Sequence, residues 1–442
     1  MIYFLKIFIK FIMKKTFVWS ASILITGGFI TKVLGIIIKI ITTRIIGTNG
    51  ISLYTLIIPT FNLLISLSQF GMPIALAKLI SEDKHSSKKL FTSIFPLIII
   101  INLILITLII TSSSFISNNL LHNKNAEICL KAIALVIPFT TISSLCRSYF
   151  FGKQRMFPHV LSNIIENILR LILIIVFLPK LLIYEIKYQV LFLILLNIIS
   201  EIVSTIILIF FLPKQITFTK YDLIPNINYL KSSLAISIPN TFSRLLISIT
   251  YFFEPIILIS FLKKQYSINY ISTQYGILNG YVLPLILLPS FFTIAISQAL
   301  LPVISNAYIN KNLKLAKKKL CEAISLSLLI GIPATLIISI KPTQLLNLLY
   351  HTTKGVNYLK LLAPIFLLQY LQAPLITTLD ALGKSKYNLI ANIISTIVRI
   401  SSLSLFSYLN MGIYALIFSI IINIFITTCY LIYIIKKDLI SL

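Results

Sequence analysis

Apolar runs of about 20 residues recur from one end of this chain to the other. Each is long enough to cross a bilayer core of roughly 30 Å as a helix. Of the 442 residues, 58% are hydrophobic and only 11% are charged, against about 25% charged in a soluble globular chain. Such a sequence cannot cover a water-facing surface. It predicts an all-α polytopic membrane protein with no separate soluble domain. Approximate helices fall at 16–43, 51–71, 90–113, 127–150, 159–179, 188–212, 229–261, 269–299, 318–340, 357–379, 386–407 and 410–435. Polar connectors lie near 72–89, 213–228 and 302–317.

The formal net charge of +27 in a soluble protein would suggest nucleic acid. Here the lysines sit mostly in loops between apolar runs, where they orient the chain and meet anionic lipid. No basic domain stands clear of the membrane, so nucleic acid is excluded as a partner. With the N-terminus in the cytoplasm, the inner side collects Lys14, Lys15, Lys78, Lys88, Lys89, Lys153 and Lys317 to Lys319, among others. The outer side holds fewer, such as Arg44, Lys124 and Lys180. This bias predicts a plasma-membrane protein with both termini cytoplasmic. Residues 1–15 form a cytoplasmic or interfacial segment. Met13 opens a plausible alternative start to Met1.

The chain also repeats itself. Gly152-Lys153 is followed by Asn163-Ile164-Ile165 and Arg170; Gly383-Lys384 is followed by Asn392-Ile393-Ile394 and Arg399. Ser20 and Lys32 correspond to Ser232 and Arg244 at an offset of 212. Six helices map onto six in the same orientation, a parallel repeat. The predicted organisation is an N-lobe at 16–212, a cytoplasmic linker at 213–228 and a C-lobe at 229–442, the lobes being pseudo-symmetric.

Cations stand where they are expensive. A Lys or Arg at the bilayer centre costs about 2.5–3.5 kcal/mol and persists beside water or an ion partner. Lys32, Arg170, Arg244 and Arg399 lie near the middle of their runs. Gly28, Lys32, Gly35 and Lys39 share one helix face, and the glycines there admit close approach. Lys32 is read as facing a cavity or a structural ion pair, and Lys39 has the further option of snorkelling. Arg170 has Glu166 four residues before it, the spacing of an intrahelical pair. Arg399 has Ser395 there and no such partner; Arg244 has Asn240, next to Pro239. The deep acids are Glu166 and Glu201, with Glu254 and Asp380 read nearer helix ends. An electropositive cavity suits phosphate or pyrophosphate. Lys32, Lys39, Arg170, Arg244 and Arg399 are therefore the candidate substrate contacts, and Glu166 and Glu201 the candidate ion-coupling acids.

Cys129, Cys146, Cys321 and Cys429 read as small buried residues. No metal site, cofactor motif or enzyme signature is visible.

Residues 28–82 resemble the opening of the stage V sporulation protein B group. That group belongs to the multidrug/oligosaccharidyl-lipid/polysaccharide exporter superfamily. The carrying residues are Lys32 with Gly35, the Gly47/Gly50 turn, Tyr54, Pro59, and Gly71-Met72-Pro73 leading to Ala77-Lys78 and Ser81-Glu82. The resemblance implies two six-helix lobes around a central cavity and a flippase for undecaprenyl-linked glycans, with peptidoglycan precursor lipid II as leading substrate. Membrane lipids and cell-wall synthesis enzymes are the implied partners. Helix 2 departs from the similar lipid II flippases, carrying Ile65-Ser66 after Asn62-Leu63-Leu64 where they have a basic pair. Those relatives also have two further C-terminal helices forming a lipid groove, which twelve helices would not supply. A multidrug cation antiporter of the same superfamily is the alternative and requires an essential acid such as Glu166 or Glu201. A non-transporting scaffold for cell-wall synthesis is a third reading.

Overall fold

The structure, a computed structural model, describes residues 2–82, 86–212, 225–310 and 312–439. Met1 and most of the 213–228 connector lie outside these. The described chain is almost entirely helical, as buried backbone in lipid requires when every N–H and C=O must be satisfied internally. The helices are α1 (Ile2–Gln69), α2 (Met72–Ser81), α3 (Ser87–Phe115), α4 (Ala126–Gly152), α5 (Met156–Phe177), α6 (Ile186–Phe210), α7 (Ile227–Leu262), α8 (Ile268–Ile277), α9 (Leu283–Ile286), α10 (Ser290–Ile309), α11 (Leu313–Ile340), α12 (Pro342–Tyr350), α13 (Val356–Ala381), α14 (Ser385–Tyr408) and α15 (Tyr414–Leu439). Among the described residues ten helices are long and apolar enough to cross a membrane. The first two of the twelve expected spans fall within α1, on either side of a non-helical Gly47 (φ 64°).

Three sequence expectations change. The predicted turn at Gly47 to Gly50 narrows to the single left-handed Gly47. The connector at 72–89 contains α2, and the one at 302–317 is helical up to Ile309 and again from Leu313. The predicted helix at 269–299 is three pieces, with a π turn at Leu278–Val282 and a break before Ser290. Pro289 lacks an N–H, and the Ser290 N–H turns to the carbonyl of Leu287. The Ile286 carbonyl, so released, accepts the Tyr370 hydroxyl at 2.7 Å. Of the cysteines, Cys129 is buried, but Cys321 and Cys429 are exposed; a small apolar thiol suits the outer face of a membrane helix.

Cα packing groups the chain into two compact units. One takes the chain up to Ile45, Thr60–Phe115 and Asn125–Leu245; the other takes Ile46–Pro59, Ile116–Lys124 and everything from Leu246. In the first, α4 packs on α2, α3 and α6, and α5 packs on α6. Met72, Leu76, Ile80, Leu90, Ile94 and Leu145 form a core there. Gly71, at φ 60°, lies so close to the Ser237 carbonyl that an added Cβ would come within 2.5 Å of it. In the second, α10, α11, α13, α14 and α15 surround Leu300, Ile304, Leu320, Leu375, Leu379 and Leu431. Hydroxyls inside the spans are satisfied locally: Thr55, Thr107 and Thr111 each donate to the carbonyl four residues back, all at 2.9 Å.

The duplication is visible in the hydrogen bonds. After α4, Lys153, Gln154 and Arg155 donate to Tyr149, Phe151 and Phe150; after α13, Leu382, Gly383 and Lys384 donate to Thr378, Asp380 and Leu379. Each of these residues lies 229 positions from its counterpart, as do Met156 and Ser385, the first residues of α5 and α14. The left-handed residue is Gln154 (φ 54°) in one copy and Gly383 (φ 71°) in the other. The two Gly-Lys pairs that mark the repeat in sequence are therefore two residues out of structural register, while the asparagines and arginines after them match.

Candidate functional site

The duplicated arginines are both neutralised, by different carboxylates. In the first unit, Arg170 Nη2 donates to Glu166 Oε1 at 3.0 Å and to Ser200 Oγ at 3.0 Å. Arg147, on α4, donates to the other Glu166 oxygen, to Glu201 at 2.7 Å and to Ser204 at 2.9 Å. Two guanidiniums and two carboxylates thus cancel among α4, α5 and α6. Arg147 is absent from the sequence-based candidates because it sits near the end of its run; only the fold brings it to the two acids. In the second unit, Arg399 donates through Nε to Glu254 at 2.9 Å. Glu254 is not near a helix end in packing terms: its side chain is 1% exposed, and that of Arg399 10%. Position 399 has no intrahelical partner, as expected, but α7 supplies one across 145 residues of sequence.

This pair lines a cavity of about 260 Å³ whose wall mixes apolar side chains with amides and hydroxyls, including Gln369, Gln372, Asn392, Ser395, Asn423 and Thr427. The wall is internally bonded: Gln372 donates to Thr427 and Thr428 at 2.9 Å, and Ser395 to Asn423 at 3.0 Å.

Among the described residues the other repeat-related cations have no carboxylate partner. Arg244, in the part of α7 that belongs to the first unit, donates to the neutral Gln69 at 3.2 Å. Lys32 and Lys39 are exposed, and among the described residues neither forms an ion pair. At about 100° per residue, Gly28, Lys32, Gly35 and Lys39 occupy one narrow arc of α1. The exposed Phe29, Ile30, Val33 and Ile37 centre about 140° away round the helix. α1 therefore presents two open stripes, one apolar and one cationic. A Cβ added at Gly28 or Gly35 would meet nothing within 4 Å, so the cationic stripe is open space rather than a helix-packing seam.

Sequence comparison places the chain among known families. A family model described as polysaccharide biosynthesis protein matches residues 17–308, and one described as MatE matches residues 278–405. Stage V sporulation protein B of Bacillus subtilis (strain 168) is 32% identical over 397 residues, spanning 87% of this chain and 77% of that protein. The lipid II flippase MurJ of the same organism is 21% identical over 422 residues, spanning 86% and 75%. Among solved structures, an inward-facing multidrug resistance MATE family transporter of the MOP superfamily superposes with a TM-score of 0.73 at 16% identity, covering 93% of this chain and 95% of that one. A MOP superfamily transporter from Pyrococcus furiosus, described by the reverse polarity of its binding pocket, gives a TM-score of 0.63 at 16% identity, covering 97% and 96%.

Proposed function

Taking as premise that the chain belongs to the polysaccharide biosynthesis protein family, we propose that it flips a lipid-linked oligosaccharide across the bacterial plasma membrane by alternating access. It is a multi-pass membrane transporter of the MOP superfamily; the substrate and the residues that hold it are our reading. One observation carries that reading. Of two repeat-related pairs of mid-span cations, Arg170 and Arg399 are held by carboxylates, while among the described residues Lys32 and Arg244 are not. An ammonium left in hydrocarbon without water or a counter-ion costs about 2.5–3.5 kcal/mol. A cationic stripe left open on α1 is therefore best explained by a ligand that brings negative charge, and a pyrophosphate-linked glycan such as lipid II does so. Lys39 lies on the same stripe and extends it. Arg170 and Arg399 take structural roles, and we place the boundary between the two sequence repeats, as distinct from the two packing units, in the 213–228 connector.

The antiporter alternative needs a carboxylate free to exchange a cation. Glu166, Glu201 and Glu254 are each engaged by an arginine, which disfavours it. Lys32→Ala and Arg244→Ala in a lipid II translocation assay in proteoliposomes separate the readings. Both are expected to lose most translocation while remaining folded, with Lys32→Arg retaining it. Full activity in both alanine variants overturns the anion path. Drug export lost only in acid variants supports the antiporter.

A further inference from the structure

We propose that a chamber in the first unit, between α2, α4 and α5, binds the phosphodiester head of an anionic membrane phospholipid. The chamber has a volume of about 780 Å³ and is lined by Lys78, Arg147 and His159 together with Pro73, Phe151 and Met156. That size is within the range of sites for small amphiphiles. None of the candidate glycan contacts lies in it.

Three observations converge on a ligand that is part anion and part hydrocarbon. First, most of the wall is apolar, and Phe151 and Phe157 at this end of the unit are exposed. Second, two polar atoms of lining residues, Arg147 Nε and His159 Nδ1, are buried without a hydrogen-bond partner. Buried polar groups are rarely left so unless water or a ligand serves them. Third, no carboxylate is among the described residues that line the chamber. Arg147 and Arg170 are cancelled by Glu166 and Glu201, while Lys78, exposed in the last turn of α2, forms no ion pair among the described residues, although Glu82 stands one turn on. One ammonium without a bonded carboxylate favours a singly charged diester over a pyrophosphate.

The backbones of α2 and α4 are packed tightly together beside the chamber. Gly152, at the end of α4, lies against the α2 backbone: a Cβ there would come within 2.7 Å of the Ala77 carbonyl. That contact fixes Lys78 beside the α4 terminus, on which Arg147 stands about one and a half turns back.

The test is lipid retention by the purified full-length chain. The delipidated protein is titrated with phosphatidylglycerol, phosphatidylcholine or undecaprenyl pyrophosphate and analysed by native mass spectrometry. One phosphatidylglycerol is expected to bind about tenfold more tightly than phosphatidylcholine, the size of one charge-assisted contact. Lys78→Gln is expected to abolish that preference, His159→Leu to weaken it, and Lys78→Arg to keep it. Equal binding of the two phospholipids, or an unchanged preference in Lys78→Gln, overturns the proposal. Undecaprenyl pyrophosphate binding that is lost in Lys78→Gln but kept in Lys32→Ala overturns the diester assignment. Because binding is read without transport, failure here is distinguishable from failure of the flippase reading. Lys78→Gln with normal lipid II translocation and lost phosphatidylglycerol binding is the signature of a separate site.

Discussion

At the scale of single residues, what decides the role of a mid-span cation is whether a carboxylate reaches it. Removing one partner of a buried ion pair leaves an uncompensated charge and costs about 3–5 kcal/mol, whereas replacing both with apolar groups is often neutral. Glu254→Gln is therefore expected to lower the unfolding midpoint strongly, because the Arg399 guanidinium stays behind in a site that is almost sealed. Glu254→Leu with Arg399→Met is expected to restore much of the loss. Thermal unfolding in detergent reads both, and equal destabilisation by the single and double variants would contradict the pairing. Lys32→Ala is expected to leave the midpoint nearly unchanged, since no protein partner loses its counter-ion. Part of this was legible in sequence. Glu166 and Arg170 are four apart on one helix, and that spacing alone predicts their contact. The partners of Arg399 and Arg147 were not legible, because 145 and 54 residues of intervening chain separate Glu254 from Arg399 and Arg147 from Glu201. Only tertiary packing brings such residues together.

At the scale of elements, the spans were readable because length and hydropathy fix them, while the breaks were not. A left-handed residue costs about 1–2 kcal/mol unless it is glycine. Gly383 occupies such a position with open space around its α-carbon, so Gly383→Gln is expected to cost about 1–2 kcal/mol from conformation alone. Its counterpart Gln154→Gly is expected to be neutral or slightly stabilising. Chemical denaturation of the two variants checks this, and a Gln154→Gly variant as destabilised as Gly383→Gln would contradict it. In sequence, the pair of Gly-Lys dipeptides equates Gly152 with Gly383. The hydrogen bonds show instead that Gly152 serves close packing on α2 and Gly383 serves a turn. The same residue type answers two physical needs, and composition cannot separate them. The α9 break makes a second test at this scale. Tyr370→Phe leaves the Ile286 carbonyl buried without its donor, at an expected cost of about 1–3 kcal/mol. Ser290 keeps its bond to Leu287, so the break itself should persist in the variant.

At the scale of the whole molecule, duplication followed by divergence explains why one cation pair is neutralised and the other is not. The matched arginines acquired different acids, one from the same helix and one from α7, which implies that neutralising that position was useful in both halves. Among the described residues no acid pairs with Lys32 or Arg244, and helix α1 carries none in the sequence between Ile2 and Gln69. Under the proposed function this has an electrical consequence. Export of a net negative charge is favoured by an inside-negative potential, at about 2.3 kcal/mol per charge per 100 mV. Translocation of lipid II in proteoliposomes carrying a potassium diffusion potential is therefore expected to accelerate when the cytoplasmic side is made negative and to slow when the sign is reversed. The response should weaken in Lys32→Ala, where the anion no longer enters the field at mid-depth. A rate indifferent to potential but dependent on a proton or sodium gradient would instead place the driving force on the buried acids, and Glu166, Glu201 and Glu254 would then have to leave their arginines during each cycle.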